Sequence, residues 1–369
     1  MFSENDKISI RQLQALLILD IFATAVVTLP RQTAIFAGND GWICVLLGSS
    51  IMIIFTLFFT ALSKRYPDKT VVEISQILLS RPIGLLISLG LAVKLVIGTG
   101  LQLRIFCEMI GQSMLFRTPV GITAIAMLLV CGYVAAEGYE CRARAGEILF
   151  VFVFVPFLVL LLLALFTADY SNLRPVMSHN GIELAQGSWK TILSFQGIEL
   201  LFLVYPYLQR PKKAQKGILT AAVVIGFFMT LITLLTIAVF GEHSVANKLF
   251  PVLNMMDSVE LPGSFLDRQD IFLLWFWVAS IFASVSAGLF FVTVILERMQ
   301  PQKSQKISAR KWLIGIIIVV FAVALLPQNV AQTYDMMENL KVYGGVFYIL
   351  VLPVLLLLLD TIKKRRKQL

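Results

Sequence analysis

In the stretch LSFQGIELLFLVYP, residues 193–206, Gln196, Gly197 and Glu199 interrupt a run otherwise apolar enough to cross a bilayer. A carboxylate at that depth is costly, and ionisable groups inside membranes face a partner, a cavity or a transport path. Glu199 stands near the middle of its span, where a short side chain cannot reach the interface. Three states satisfy it: protonation, pairing with a cation, or contact with a water-filled cavity. Lys94 is equally central in the third apolar segment, on a stripe with Gly98, Leu101, Ile105 and Glu108. It can neutralise Glu199, hold a ligand carboxylate, or reach a water pocket through its long stem.

Other intramembrane polar groups read differently. Arg104 and Glu108 are an i,i+4 pair near one end of that segment, with Arg first, the weaker order, which suits a structural ion pair. Asp20 and Arg31 flank the middle of the first segment and lie close enough to its ends for interfacial solvation. The sequence WFWVASIFASVSAGLFF carries Ser280, Ala283, Ser284, Ser286 and Gly288, small residues of the kind that let helices approach closely. His179 and His243 lie in separate loops and are expected to be solvated. No glycine-rich phosphate loop, Ser/His/Asp set or HExxH element occurs, so neither an enzyme nor an ATP-driven motor is expected. The four cysteines have no metal-ligand spacing, and neither a metal nor a cofactor is expected.

The elements that must position these groups are membrane helices. Of 369 residues, 58% are hydrophobic and 14% charged, and the mean hydropathy is +0.84, whereas soluble domains are about 45–50% apolar. A bilayer needs about 20 apolar residues per helix. Ten segments qualify: 13–37, 42–62, 83–107, 119–137, 147–166, 188–209, 218–241, 269–298, 312–326 and 342–362. The N-terminus MFSENDKISIRQLQ lacks the pattern of a cleaved signal, so the first segment is expected to be retained. With the N-terminus inside, the inner connectors and tail hold twenty-two Lys and Arg residues and the outer connectors six. That asymmetry puts both termini in the cytoplasm. The net charge of +9 is therefore topological, and nucleic acid is not a partner.

Ten spans with both ends inside divide into five and five, 13–166 and 188–362, within one membrane domain covering 1–369. An odd-numbered repeat must insert in opposite senses. The first span of each half carries a helix breaker: DIFATAVVTLPRQTAIF has Thr24, Thr28 and Pro30, and ILSFQGIELLF has Gly197. Paired interruptions of this kind point to a site built from broken helices 1 and 6. Taken singly, such a breaker is more often a simple kink.

The elements TLPRQ, LRIFCEMIGQSMLFRTP, NLRPV, FQGIELLFLVYP, RPKKA and LPVLLLLLDTIKKRR, in this order, resemble the B subunits of spore nutrient germinant receptors. That family is a branch of the amino acid–polyamine–organocation transporter superfamily. The resemblance implies an all-α fold of ten transmembrane helices in an inverted repeat. It implies a three-subunit receptor in the spore inner membrane, with an A subunit and a C-subunit lipoprotein as partners, that binds a small nutrient and triggers germination. One departure stands out: Ala23-Thr24-Ala25 replaces the glycine-rich element that relatives carry before TLPR, which leaves the nutrient's identity open.

Under this reading the nutrient sits between helices 1, 3, 6 and 8. Its expected contacts are Thr24, Ala25 and Thr28, then Lys94, Gly98 and Leu101, then Ser194, Phe195 and Gly197, and Ala283 with Ser284. Glu199, Arg104 and Glu108 supply gating or structural charge. The alternative is a proton- or cation-coupled amino-acid transporter in which Glu199 titrates.

Overall fold

The computed structural model describes residues 6–257, 270–300 and 308–368. They are helical almost throughout. In chain order the helices are α1 (Ile10–Ala37), α2 (Gly41–Arg65), α3 (Val71–Leu78), α4 (Arg81–Ser113), α5 (Val120–Ala136), α6 (Tyr139–Thr167) and α7 (Gly181–Ser194). There follow α8 (Leu201–Val204), α9 (Ala214–Phe240), α10 (Glu242–Asn247), α11 (Pro251–Asp257), α12 (Asp270–Met299), α13 (Ala309–Leu325), α14 (Val330–Leu340) and α15 (Leu352–Gln368). A π-helical stretch, Lys341–Val351, joins α14 to α15.

Among the described residues, six stretches are helical, long and apolar enough to cross a membrane: Ala25–Arg65, Arg81–Gln112, Tyr139–Thr167, Pro211–Phe240, Trp277–Met299 and Val330–Lys364. Val120–Ala136 and Ile198–Tyr207 are shorter apolar helices. Large apolar side chains such as Leu86, Phe152, Phe166 and Ile318 stay exposed around the outside, as a multi-pass membrane protein requires of its lipid-facing surface.

Local signals explain several helix starts. Ser9 accepts from Gln12 N while the Gln12 side chain accepts from Ser9 N, a capping box that opens α1. Asn180 with Glu183 does the same for α7, and Thr70 with Glu73 for α3. From there α1 runs through the centre of the bundle, packed against α6, α7, α9 and α12.

The two ends of the bundle are tied differently. At one end, residues 6–9 stitch three elements together. Asp6 Oδ1 accepts from Tyr139 N and Glu140 N at 3.0 and 3.2 Å. Lys7 Nζ donates to Pro206 O at 2.6 Å, Ile8 N to Tyr207 O at 2.7 Å, and Gln209 N to Ile8 O at 3.0 Å. At the other end, the fully buried Asp40 carboxylate accepts from Met177 N at 2.7 Å and His179 N at 3.1 Å.

The structure corrects three expectations. The first helix is not interrupted: α1 is continuous from Ile10 to Ala37 with Pro30 inside it. Proline removes one donor, a loss of about 3 kcal/mol, and tight packing on four sides offsets it. Alanines rather than glycines before Pro30 keep the helix wound. His179 is not simply solvated, because its Nδ1 lies 3.2 Å from Asp40 Oδ2; His243 is exposed. Arg142, counted with the inner loops, is buried inside the bundle with 1% of its surface exposed. Arg268, Lys303 and Lys306 of the charge tally, and the start of the eighth segment at 269, lie outside the described residues.

Candidate functional site

The second expected interruption is present. α7 ends at Ser194, Gly197 adopts φ +105°, and the chain resumes through the single turn Ile198–Leu200 into α8. A backbone in that region admits glycine readily and other residues only under strain. Space is not the constraint, because a Cβ on Gly197 would meet nothing closer than 3.7 Å. Freed backbone at membrane depth needs a partner, and Glu199 provides one: its Oε2 accepts from Gly197 N at 3.0 Å. Glu199 Oε1 takes the ammonium of Lys94 in a buried ion pair. The stem of Lys94 lies along the π-helical stretch, where a Cβ on Gly344 would stand 3.2 Å from Lys94 Cγ.

Beside this pair is a partly open cavity of about 50 Å³ with mixed polar and apolar lining. At about 10–15 Å³ per water that is room for a few water molecules. α4 lines it with Lys94, Leu95, Gly98, Thr99 and Gln102, the break with Gln196, Gly197, Glu199 and Leu200. Asp20, Ser284, Gly288 and Leu340 complete the wall. Ser284 Oγ donates to Gln102 Oε1 at 2.8 Å. The Gln196 amide nitrogen is buried with no partner among the described residues, a donor left unused at the cavity. α4 and α12 approach closely here: a Cβ on Gly288 would fall 2.0 Å from Thr99 Oγ1.

Of the expected contact residues, Lys94, Gly98, Gly197 and Ser284 line this cavity, together with Glu199, expected to supply gating or structural charge. The others lie elsewhere. Ala25 and Leu101 are packed in the apolar core. Phe195 turns to the opposite side of the break, with Leu17, Ile21 and Ile198. Ser194 Oγ donates to Lys190 O at 2.9 Å and Gln32 Oε1 at 3.4 Å. Thr28 lines a separate cavity. The Thr24 side chain lies outside the described residues. Arg104 pairs with Glu108 at 2.7 Å and reaches Ala324 O and Gln328 O, so this pair buttresses the end of α13 away from the cavity.

Thr99 and Gln102 carry a legible signal: they sit one step around from the stripe that runs through Leu101, on the 94–98–102 and 95–99 rows.

A second buried ion pair adjoins the cavity. Arg142 Nη2 donates to both oxygens of Asp20, at 2.6 and 2.8 Å, and to Ala283 O at 2.9 Å. Its Nε reaches Ala283 O and Ser286 Oγ, each at 3.3 Å. Asp20 is therefore paired rather than solvated, and Ala283 contributes its carbonyl to the pair rather than a side chain to the cavity. These contacts tie α1, α6 and α12 together. Trp277 Nε1 adds a bond from α12 to Ala23 O at 3.0 Å.

The fold resembles a solved structure described as the substrate-bound outward-open state of a Na+-coupled sialic acid symporter. The TM-score is 0.60 at 11% identity, covering 91% of this chain and 76% of that one. In sequence, the chain is 27% identical over 366 residues to the spore germination protein YndE of Bacillus subtilis (strain 168), covering 99% of both. It is 26% identical over 370 residues to spore germination protein KB of the same organism, covering 99% of this chain and 97% of that one. It is 27% identical over 341 residues to spore germination protein GerQB of Bacillus cereus, covering 91% of each. Residues 7–333 match the family described as Spore germination protein. The chain belongs to that family.

Proposed function

We propose that this chain is the nutrient-sensing subunit of a spore germinant receptor. The nutrient, an amino acid or similar small polar molecule, binds at the cavity beside the break between α7 and α8, and its binding triggers germination. On this reading the chain crosses the spore inner membrane ten times as a 5+5 inverted repeat with both termini cytoplasmic. It works with an A subunit and a C-subunit lipoprotein. The likeness to germination proteins named B2, KB and GerQB supports the subunit role.

The observation that carries the reading is the cavity itself. It lies against a broken helix and holds an unpartnered amide and a lysine shared with the carboxylate that braces the break. A ligand changes a protein only through different affinity for two states. A nutrient carboxylate that took the Gln196 amide and the Lys94 ammonium would release Glu199 from Lys94 and loosen its hold on Gly197 N. The broken helix is then the moving part, and the cavity in this form is the resting state.

Gly98→Leu tests this. Its side chain would push on Leu340, which already stands 3.5 Å from a Cβ at that position, and fill the cavity. The expected result is a tenfold or greater rise in the nutrient concentration needed for germination. An unchanged dose response with normal receptor assembly would refute the assignment. The alternative, a proton- or cation-coupled amino-acid transporter, draws support from the transporter fold. It predicts uptake of labelled amino acid into proteoliposomes holding this chain alone. The pairing of Glu199 with Lys94 favours it less, since a titrating carrier needs a carboxylate free to cycle.

A further inference from the structure

Above the central cavity lies a larger one, of about 260 Å³, which the function proposed above does not use. The two share their framework. α1 gives Asp20 to the lower cavity and Thr28 to Phe36 to the upper; α14 gives Leu340 to the lower and Glu338 to the upper. A polar chain runs along the upper one. Ser194 Oγ reaches Gln32 Oε1 at 3.4 Å, Gln32 Nε2 reaches Glu338 Oε2 at 3.3 Å, and Glu338 Oε1 holds the Lys190 ammonium.

Charge in the upper cavity is balanced and sorted. Arg31 and Lys190 supply the positive groups, Asp335 and Glu338 the negative. Arg31 uses Nε on Ala246 O at 3.2 Å, its only hydrogen bond among the described residues, so the other guanidinium donors are unspent. The Tyr334 hydroxyl is buried without a hydrogen-bond partner among the described residues, and Arg31 is the charge that acts on it. Lys341, one turn beyond Glu338 and 3% exposed, lies behind the lining; its backbone N–H donates to Glu338 O, and its ammonium has no hydrogen bond or ion pair among the described residues. A buried hydroxyl and a buried ammonium without partners are each costly. The remaining wall is Thr28 and Gln32 with an apolar part of Ile35, Phe36 and Leu249.

We propose that this upper cavity is a second binding site, for a zwitterionic amino acid with an aliphatic side chain. The ligand carboxylate takes the guanidinium of Arg31 and the hydroxyl of Tyr334; its ammonium takes Glu338 and Asp335. The side chain lies on Ile35, Phe36 and Leu249. A zwitterion matches a pocket with two charges of each sign and brings no net charge into it. A solute carrying only a carboxylate or only an ammonium leaves one half of the lining without its counterpart. The site is independent of what the lower cavity binds.

The test is direct binding of radiolabelled L-leucine to the purified full chain in nanodiscs, with two competitors, 4-methylpentanoate and 3-methylbutylammonium. Each competitor keeps the side chain and removes one charge. Saturable binding is expected, with either competitor at least tenfold weaker than unlabelled leucine. Arg31→Gln and Glu338→Gln are each expected to weaken binding tenfold or more. Asp335→Asn, at an exposed position with no ion pair among the described residues, is expected to weaken it severalfold and to fold normally. No saturable binding in the unaltered chain overturns the proposal. So does competition by a single-charge analogue as strong as leucine's, or binding that Asp335→Asn and a folded Arg31→Gln both leave unchanged. The last outcome moves the ligand to another site and leaves the reading of the central cavity to its own test.

Discussion

Two buried ion pairs flank the central cavity, and they are built to opposite ends. In the Asp20–Arg142 pair one guanidinium nitrogen bridges both carboxylate oxygens, while a carbonyl and a hydroxyl on α12 take further bonds. Three helices are fixed by one planar group, with geometry that only arginine offers. In the Lys94–Glu199 pair a flexible lysine makes a single contact, and its partner also supports the backbone of Gly197. The first pair locks whole helices; the second holds one turn of an interrupted helix beside a cavity. Burial is similar in both, so burial alone does not distinguish a scaffold from a moving part. The number and rigidity of the bonds do.

Breaking the first pair gives the largest expected effect. Arg142→Met leaves Asp20 buried without its partner and should cost about 3–5 kcal/mol, seen as a large drop in melting temperature of the purified chain or loss of folded protein. Lys94→Met should cost less, about 1–3 kcal/mol, because Glu199 keeps Gly197 N and borders a cavity that admits water. A double-mutant cycle with Glu199→Gln should show coupling. A cycle as strong as that of Asp20 with Arg142 would erase the distinction between scaffold and moving part. Gly197→Ala tests the break without touching either charge: the positive φ should cost about 1–2 kcal/mol and shift the germination response more than the melting temperature.

The smallest effect sets the scale for an exposed pair. Glu73 accepts from Arg298 at 2.7 Å, with the two side chains 32% and 27% exposed. Desolvation pushes its carboxyl up, but the hydrogen bond from Thr70 and the Arg298 pair outweigh it and hold it below the ordinary carboxylate range. A depressed carboxyl stabilises the fold above its unfolded value and loses that contribution as pH falls through its folded one. Glu73→Gln should therefore cost only about 0.2–1 kcal/mol at neutral pH, a difference that starts to shrink as pH falls past the unfolded value of about 4.3 and is gone only below the depressed folded one.

Much of the central site is legible in the sequence, because a membrane makes polar residues conspicuous. Gly197, Glu199 and Lys94 stand out as misfits in apolar runs, and they meet. Arg142 does not stand out, since it lies within the polar stretch AAEGYECRARAGE and reads as part of a connector; only the packing of α6 against α1 and α12 brings it inside. The apolar pattern of α4 puts its phase one residue off, through Leu101 instead of Gln102, because a membrane helix is apolar on every side and its periodicity is faint. Pro30 announces a break that α1 does not make. The sequence shows the lost donor, while the packing that keeps the helix wound belongs to the fold.

The stitching of residues 6–9 has one more consequence. It reaches the first turn of α6 through the Asp6 carboxylate and Pro206 through the Lys7 ammonium, and it ties the entry of α1 to the exit of the broken helix by main-chain groups, from Ile8 to Tyr207 and Gln209. Bonds of that kind survive most changes of side chain, so this floor is difficult to loosen by drift in sequence. A carrier has to part such a floor at every turnover to let its cargo out below. A detector has no such need, and for it a floor that stays shut is an advantage. On the proposed reading, a nutrient arriving from the opposite end can be weighed and returned by the way it came.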